Sequence, residues 1–344
     1  MRVLVAMSGG VDSSLAAALL VEAGHDVTGA TMKLWGGPSD SGCCSVADVD
    51  DARRVAQQLG IDHFTFGFGD DFEADVVAPY VAAHAAGRTP NPCIECNRHL
   101  KFDRFVRRAD ALGFDAVATG HHARVERGAD RWHLRRGADR AKDQSYVLHV
   151  LGQDVLGRAL LPVGHLDKAD VRAQAAALGL RTADKPDSQD VCFISATGGR
   201  SAFLGARVAL TPGLVVDGRG RPVGSVPAVE LVTIGQRRGL GLPGGGAPQF
   251  ATAVDVATGT VTVGPAADLL VDELAVEGLA WVGPAVAGRV EVQVSAHGTA
   301  HAGHVTPAGE RARIRLAEPV RRVAPGQSVV LYHGDDVLGG GTAC

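Results

Sequence analysis

The chain lacks any unbroken run of the eighteen or so apolar residues that a membrane-spanning helix requires, so no membrane partner is expected. Its first apolar stretch passes straight into glycines and is too short for the core of a signal peptide, which makes the cytoplasm the expected location. Six cysteines in 344 residues are too few for a disulfide scaffold; in a reducing compartment they are expected to be buried, metal-binding or catalytic. No fixed-period repeat or low-complexity tract occurs. Neither sign of charge dominates, and a net charge of −4 argues against a general affinity for nucleic acid.

What the chain does have is the run Ser8-Gly9-Gly10-Val11-Asp12-Ser13-Ser14, set between an apolar strand, Val3-Leu4-Val5-Ala6-Met7, and a helix-forming run that begins at Leu15. A glycine-rich turn there aims several backbone N–H groups at one point. With a helix N-terminus behind it, that point is an anion site suited to phosphate. No lysine follows the glycines, so this is not the loop that cradles a triphosphate for γ-phosphate transfer. The hydroxyls of Ser8, Ser13 and Ser14 are expected to replace it, with Asp12 helping to hold Mg²⁺. Such a loop suits cleavage of ATP between the α and β phosphates, with AMP attached to an acceptor and pyrophosphate leaving. Met32, at the end of the second strand, is expected beside the adenine.

The first half alternates strand signals over 3–7, 26–32, 63–66 and 115–119 with helix signals over 14–23, 48–59 and 97–112. That alternation predicts a parallel sheet covered on both faces. The helix over 97–112 places Phe102, Phe105, Val106 and Ala109 inward and Lys101, Arg104 and Arg108 outward. The fourth strand ends at Gly120-His121-His122, and ligands of open α/β sheets bind at the carboxyl ends of strands, so Gly120 and His121 are expected to share a crevice with the phosphate loop. Asp167, an alanine-rich helix and Gly179 close the helical part. Beyond about 205, valine-rich runs alternate with turn signals at 217–220, 258–259 and 325–326, which predict β-hairpins in small sheets or a barrel. The expected architecture is α/β: a catalytic parallel-sheet domain over 1–200, a small β-rich domain over 201–267 and a β-barrel over 268–344. Charge is uneven across it. Residues 1–97 carry a net −8 and residues 98–142 a net +6, and the second stretch could engage a phosphate backbone despite the acidic total.

Cys93-Ile94-Glu95-Cys96-Asn97 precedes the basic helix, whose N-terminus would lower a thiol pKa and makes Cys96 a candidate thiolate. The stiff Thr89-Pro90-Asn91-Pro92 before it is a way of fixing a loop beside a substrate. Cys192, within Lys185-Pro186-Asp187-Ser188-Gln189-Asp190-Val191-Cys192-Phe193, reads from its neighbours as a small core residue. The pair Cys93 and Cys96 alone leaves zinc, redox and iron–sulfur roles open, although no second close Cys/His pair completes a zinc site. Cys43 and Cys44 read as structural, Cys344 as without a role, and His297, His301 and His304 as surface residues, so no protein metal site is assigned.

Taken together, Ser8–Ser14, Thr31-Met32-Lys33, Gly87-Arg88-Thr89-Pro90-Asn91-Pro92, Cys96-Asn97, Lys101-Phe102, Ala118 to Arg124, Lys142-Asp143-Gln144-Ser145-Tyr146, Asp187 to Phe193 and Thr233-Ile234-Gly235-Gln236-Arg237-Arg238-Gly239-Leu240 closely resemble, in order, the bacterial tRNA-specific 2-thiouridylases. The resemblance covers residues 3 to about 242 and weakens beyond. It implies an ATP-pyrophosphatase domain that adenylates the C2 oxygen of the wobble uridine of tRNA, after which a persulfide on Cys192 delivers sulfur and Cys96 attacks it, leaving a Cys96–Cys192 disulfide. It further assigns Ala6 to Ser14, Met32 and Gly120 to ATP, Asn91, Pro92 and Cys93 to the target base, and His121, Lys142, Asp143, Gln144 and Gln327 to tRNA. A sulfur-donor protein is an implied partner. A base must be splayed out of its stack for this chemistry, which suits recognition of a single-stranded loop.

Two features depart from the family pattern. Many members carry an aspartate where this chain has Cys93, and Glu291-Val292-Gln293-Val294-Ser295 lacks the arginine and tyrosine of many relatives. Cys93, Cys96 and Cys192 could therefore instead hold a [4Fe–4S] cluster that binds sulfide. Two other classes stand as alternatives: an ATP-pyrophosphatase that forms an amide or amidine on a small molecule, and a non-catalytic nucleotide-regulated RNA-binding or sulfur-carrier protein. Neither needs the cysteine pair for catalysis.

Overall fold

The computed structural model describes residues 1–34, 45–187, 191–195 and 197–344. The readings of Cys43 and Cys44, and the Ser188-Gln189-Asp190 part of the Cys192 motif, lie outside the described residues. The chain begins with β1 (Arg2–Ala6), β2 (Asp26–Lys33), β3 (His63–Gly67) and β4 (Ala116–Ala118). A hairpin, β5 (Ala123–Arg127) and β6 (Trp132–Arg136), then leaves the sheet before the chain returns as β7 (Ala159–Leu160). The sheet has the order β3-β2-β1-β4-β7 and every pairing in it is parallel.

Strand periodicity explains why the first run is uniformly apolar. Val3, Val5 and Met7 pack with residues of α1 (Val11–Glu22) and α2 (Val46–Leu59), while Leu4 and Ala6 point to the opposite face, against Phe72, Val76 and Phe105. The opposite face is covered by a helical run over residues 69–85 (α3) and another over 92–111 (α4). α4 starts earlier than the sequence suggested. Asn91 caps it, its Oδ1 accepting the Cys93 N–H at 3.1 Å, and Pro92 occupies the first turn, where a missing N–H costs nothing. The helix then widens to π-type winding through Cys96–Arg104.

α5 (Lys168–Ala177) has Asp167 at its N-cap, as expected, but the Asp167 side chain makes no capping bond. The Lys168 N–H is taken by Asp139 Oδ2 instead, at 3.1 Å, so the cap is borrowed from a distant loop. α6 (Cys192–Ser195) follows. No helix among the described residues is long and apolar enough to cross a membrane.

The β-rich half divides in two. β8 (Gly213–Val216), β9 (Pro222–Val226), β10 (Phe250–Asp255) and β11 (Thr260–Gly264) form a sheet in the order β10-β11-β8-β9, with the turns at 217–220 and 258–259 closing hairpins. β12 (Leu270–Trp281), β13 (Gly288–Gln293), β14 (His301–Ala308), β15 (Arg311–Arg321), β16 (Ser328–His333) and β17 (Asp336–Ala343) run in the order β12-β15-β14-β13-β16-β17. β17 pairs back onto β12 and closes a six-stranded barrel. The turn at 325–326 does not close a hairpin, because β16 pairs with β13 and β17 rather than with β15. The architecture is α/β, with a parallel-sheet domain followed by two β-rich domains, the last a barrel.

The β5–β6 hairpin has no counterpart in the sequence reading. It joins the barrel, with Arg135 opposite Asp336 of β17, so the barrel sheet continues into the N-terminal domain. Ile94, Phe102, Leu134 and Tyr146 share an apolar cluster with Val330, Tyr332 and Val337. Phe102, expected to face the parallel sheet, seals this junction instead.

Candidate active site

The loop between β1 and α1 opens onto a cleft of about 460 Å³ at the carboxyl end of the parallel sheet. Gly10 is the N-cap of α1 and offers no side chain, which leaves the first helical N–H groups facing the cleft. The serines divide their work. Ser14 is fully buried and its hydroxyl donates to Gly10 O at 2.8 Å. Ser13 Oγ bonds Gly10 O at 3.2 Å and accepts the Ser8 N–H at 3.2 Å. Ser13 and Ser14 therefore stitch the loop together, and only Ser8 is exposed.

Ala6, Met7, Ser8, Gly10, Val11, Asp12 and Ser13 line the cleft together with Met32, Gly120, His121, Lys142 and Gln144. Gly9 and Ser14 stand behind that lining. Gly120 approaches so closely that a Cβ on it would lie 2.5 Å from the Ser13 N, which requires glycine there. His121 is buried and its Nδ1 lies 2.7 Å from Thr119 Oγ1. Burial, reinforced by Lys101 and His122, holds its pKa well below the usual histidine value, so the imidazole is neutral.

The cation missing from the loop arrives from elsewhere in the chain. Lys168 Nζ, at the start of α5, lies 2.6 and 2.7 Å from the two Asp12 oxygens and 2.9 Å from Asp187 Oδ1. Lys185 Nζ binds Asp48 Oδ1 at 2.6 Å and Asp51 Oδ2 at 2.8 Å, and Lys142 Nζ binds Asp187 Oδ2 at 2.8 Å. All three lysines line the cleft. His122 Nε2 adds a bond to Asp12 Oδ1 at 3.0 Å. Burial alone would raise the Asp12 pKa; the bonds from His122 and Lys168 outweigh it and hold the carboxyl below its ordinary value. The same opposition, with Lys142 and Lys168 on the favourable side, brings Asp187 to about 2. Lys168 escaped the sequence reading because nothing local distinguishes it from a surface lysine; His122, at the end of the fourth strand, and Lys185, at the head of the Cys192 segment, have no role of their own in that reading. His297, read as a surface residue, is exposed but stands at the cleft's edge, carried there by the barrel.

Cys96 and Cys192 come to one apolar cluster from distant parts of the chain. Cys96 is 8% exposed within the cluster of Phe72, Leu100, Phe105 and Phe193, and the half-buried Cys192 packs against it. Ala6 and Leu34 of that cluster, and Met32 against it, also line the cleft beside the β1–α1 loop. The expectation that Cys96 sits at a helix N-terminus is corrected: the helix begins at Pro92, so Cys93, exposed in its first turn, is closer to the helix end. Among the described residues no group of three or more His, Cys, Asp or Glu side chains converges so as to hold a metal ion, so Cys93, Cys96 and Cys192 do not fit a cluster site.

The residues implied for tRNA are dispersed. Lys142 and Gln144 line the cleft, Gln144 being locked to His122 by two bonds of 2.9 Å. Asp143 is buried, its carboxylate accepting from the Gly137 and Ser145 N–H groups, the Ser145 hydroxyl and Arg136. Asn91 and Pro92 line two cavities outside the cleft, of about 500 and 560 Å³, and Gln327 lines the larger. The basic stretch over 98–142 is largely committed within the chain. Arg124 and Arg140 pair with Asp335, Arg135 with Glu126 and Asp336, Arg136 with Asp143, and Arg104 with Asp71 and Asp75. Its hairpin portion builds the barrel junction rather than an open phosphate-facing surface.

Comparison with known proteins agrees along the whole chain. Residues 1–196 match the family described as tRNA methyl transferase HUP domain, 201–265 the tRNA methyl transferase PRC-barrel domain and 271–343 the aminomethyltransferase beta-barrel domain. The tRNA-specific 2-thiouridylase MnmA of Mycobacteroides abscessus is 49% identical over 354 residues, covering 98% of both chains. That of Mycolicibacterium smegmatis is 49% identical over 359 residues, covering 99% of both. Among solved structures, a 4-thiouridine synthetase in complex with RNA and ATP is similar at 19% identity and a TM-score of 0.38, over 58% of this chain and 46% of that one. With near-complete coverage at almost half identity, the chain belongs to the tRNA-specific 2-thiouridylase family.

Proposed function

We propose that the cleft activates the C2 oxygen of a tRNA wobble uridine with ATP and that Cys192 and Cys96 then exchange that oxygen for sulfur. As a member of its family the chain is a tRNA-uridine 2-sulfurtransferase. The observation that carries the finer reading is the continuity between the phosphate loop and the cysteines: Ala6, Met32 and Leu34 border both the cleft and the cluster that holds Cys96 and Cys192. An amide-forming enzyme would have no use for that arrangement.

The chemistry follows from the positions. ATP places its phosphates against the Ser8–Ser14 loop, where the helix N–H groups, Lys168 and Lys185 face them. The uridine O2 attacks the α-phosphorus, the α–β bridging bond breaks, and pyrophosphate leaves toward the lysines. Mg²⁺ bound with the nucleotide would neutralise phosphate charge; Asp12, once Lys168 turns from it to phosphate, would be a carboxylate to hold it, which suits an ion that takes one or two carboxylates plus phosphate oxygens. The terminal sulfur of a Cys192 persulfide attacks C2, and AMP departs with the former O2. The Cys96 thiolate then attacks Cys192 Sγ, the sulfur–sulfur bond to the nucleoside breaks, and 2-thiouridine leaves with the electron pair. The resulting Cys96–Cys192 disulfide is reduced by an external thiol, and a sulfur-donor protein restores the persulfide.

The test incubates the protein with ATP, Mg²⁺, a persulfide donor and unmodified tRNA, and looks for 2-thiouridine in the digested nucleosides. Cys192→Ser is expected to abolish the product. Product formation by that variant at the unaltered rate would overturn the roles given to the cysteines.

A further inference from the structure

The segment that carries the catalytic helix has little means of holding itself in place. In Thr89-Pro90-Asn91-Pro92 the two prolines have no N–H, so Thr89 and Asn91 supply the only backbone donors. Both backbone groups of Thr89 are satisfied by the barrel. Its N–H donates to Pro325 O at 2.8 Å, and its carbonyl accepts from Gln327 Nε2. Gly326, at φ +93°, lets the two strands of chain meet; a Cβ there would lie 3.0 Å from the Thr89 N. The turn that presents Gln327 is itself fastened to the end of β17, with Gly326 N–H on Ala343 O at 3.0 Å and Ala343 N–H on Gln327 O at 2.8 Å. Arg88 pairs with Glu277 of β12 at 3.3 Å, and Thr89 Oγ1 lies 3.2 Å from Thr233 Oγ1 of the middle domain. All three domains thus meet on Arg88 and Thr89. Asn91 stands two residues on and caps the helix that leads to Cys96.

We propose that Gln327 is a positioning residue for the sulfur-transfer step: its amide donates to Thr89 and sets the place of Asn91 and of the helix bearing Cys93 and Cys96. This role is additional to any direct contact between Gln327 and tRNA. One amide N–H is engaged by Thr89, at the start of the segment that enters the helix, and Gln327 lines a cavity with Thr89, Pro90, Asn91 and Pro92. The barrel then contributes to the reaction by holding the catalytic segment as well as by any surface it offers to RNA.

Two nearly isosteric variants test this. Gln327→Met keeps length and packing and deletes the donor; Gln327→Glu places an oxygen against the Thr89 carbonyl. In hydrogen exchange of the full chain, the segment over 88–97 is expected to exchange about fivefold faster in Gln327→Met, the size of one net hydrogen bond, with barrel peptides unchanged as the internal control for folding. Gln327→Glu is expected to exceed that. In thiolation assays kcat is expected to fall roughly tenfold or more while the tRNA Kd stays the same, as befits a displaced reacting group. A raised tRNA Kd with kcat and exchange unchanged would overturn the proposal in favour of direct RNA contact; unchanged exchange, kcat and Kd would overturn it outright. The kinetic arm rests on the role given to Cys96 above, whereas the exchange arm does not, so failure of one is distinguishable from failure of the other.

Discussion

Two sets of ion pairs dominate the molecule, and they differ in what surrounds them. In the cleft beside the β1–α1 loop, Lys168, Lys185 and Lys142 rest on Asp12, Asp48, Asp51 and Asp187 beside open volume. At the hairpin–barrel junction, Arg124, Arg135, Arg136 and Arg140 engage Glu126, Asp143, Asp335 and Asp336. Lysine is a compact charge on a flexible stem that can leave one oxygen for another, whereas the arginine fork is planar and specific in direction. Arg136 shows the second behaviour well: it reaches Asp143 at 3.1 Å and Gln293 Oε1 at 2.7 Å, and it lies 3.6 Å from the centre of the Tyr332 ring. On the proposed function the cleft pairs are therefore exchangeable partners for phosphate, and the junction pairs are fixed structure. Charge alone, summed along the sequence, does not separate the two.

The sharpest way to break this contrast is to remove one member of each set. Lys168→Ala is expected to lower kcat/KM for ATP about a hundredfold, the scale of losing one electrostatic contact to developing charge, with a smaller loss of stability than Arg136→Ala, because the Asp12 and Asp187 carboxylates it leaves are 30% and 20% exposed. Steady-state kinetics with urea unfolding checks both halves. Arg136→Ala is expected to do the reverse. The Arg136 side chain is 12% exposed and that of Asp143 is 6%, so the variant strands a buried carboxylate and should lose about 3 kcal/mol or more of stability. Its folded fraction should keep the ATP KM of the parent. A shift of kcat/KM alone in Arg136→Ala, or of stability alone in Lys168→Ala, would erase the distinction.

Acid sharpens the same comparison. His149 is buried beside the junction, its Nδ1 2.8 Å from Tyr146 O, and burial lowers its pKa to about 4, despite the opposing Tyr146 bond. The folded state then binds this proton less readily than the unfolded state, so its contribution to stability is full above the ordinary value of 6.5 and is lost as the pH falls from there toward about 4. The slope from this one group is about 1 kcal/mol per pH unit, and His149→Gln should remove that share in urea titrations between pH 7 and 4.5, leaving the like contribution of His84, whose pKa burial also lowers to about 4. Asp12 and Asp187 have lowered values, so the cleft pairs persist through that window and give way only in stronger acid. The smallest effect belongs to the exposed pair Arg107–Asp103. Arg107 is 69% exposed, and Arg107→Ala should cost less than about 1 kcal/mol.

Sequence reading reached the parts of the molecule whose structure is local. The β1–α1 loop, the parallel pairing of the strands around it and the turn chemistry of β8–β11 follow from short-range periodicity and glycine placement, whereas the strand order does not. The start of α4 was misplaced because Asn91-Pro92 reads as stiff loop, although the same two residues make a cap and a first turn. The β5–β6 hairpin escaped because its strands are held by a barrel that begins far downstream, and the arginines that mark it resemble an RNA-facing patch. Met32 and Gly120 were found at the cleft by their positions at strand ends. Lys168, Lys185 and His297 were not, since each enters it through tertiary packing alone. Gln327 lies against Thr89 for the same reason, and only the closed barrel puts it there.

The central claim is that the cleft spends ATP to activate tRNA for sulfur. Counting AMP, ADP and 2-thiouridine in one reaction tests it most directly. The account predicts one AMP, with pyrophosphate, for each 2-thiouridine formed, and release of pyrophosphate only when tRNA is present. Formation of ADP and inorganic phosphate in step with thiolation, or 2-thiouridine appearing without AMP, would contradict it.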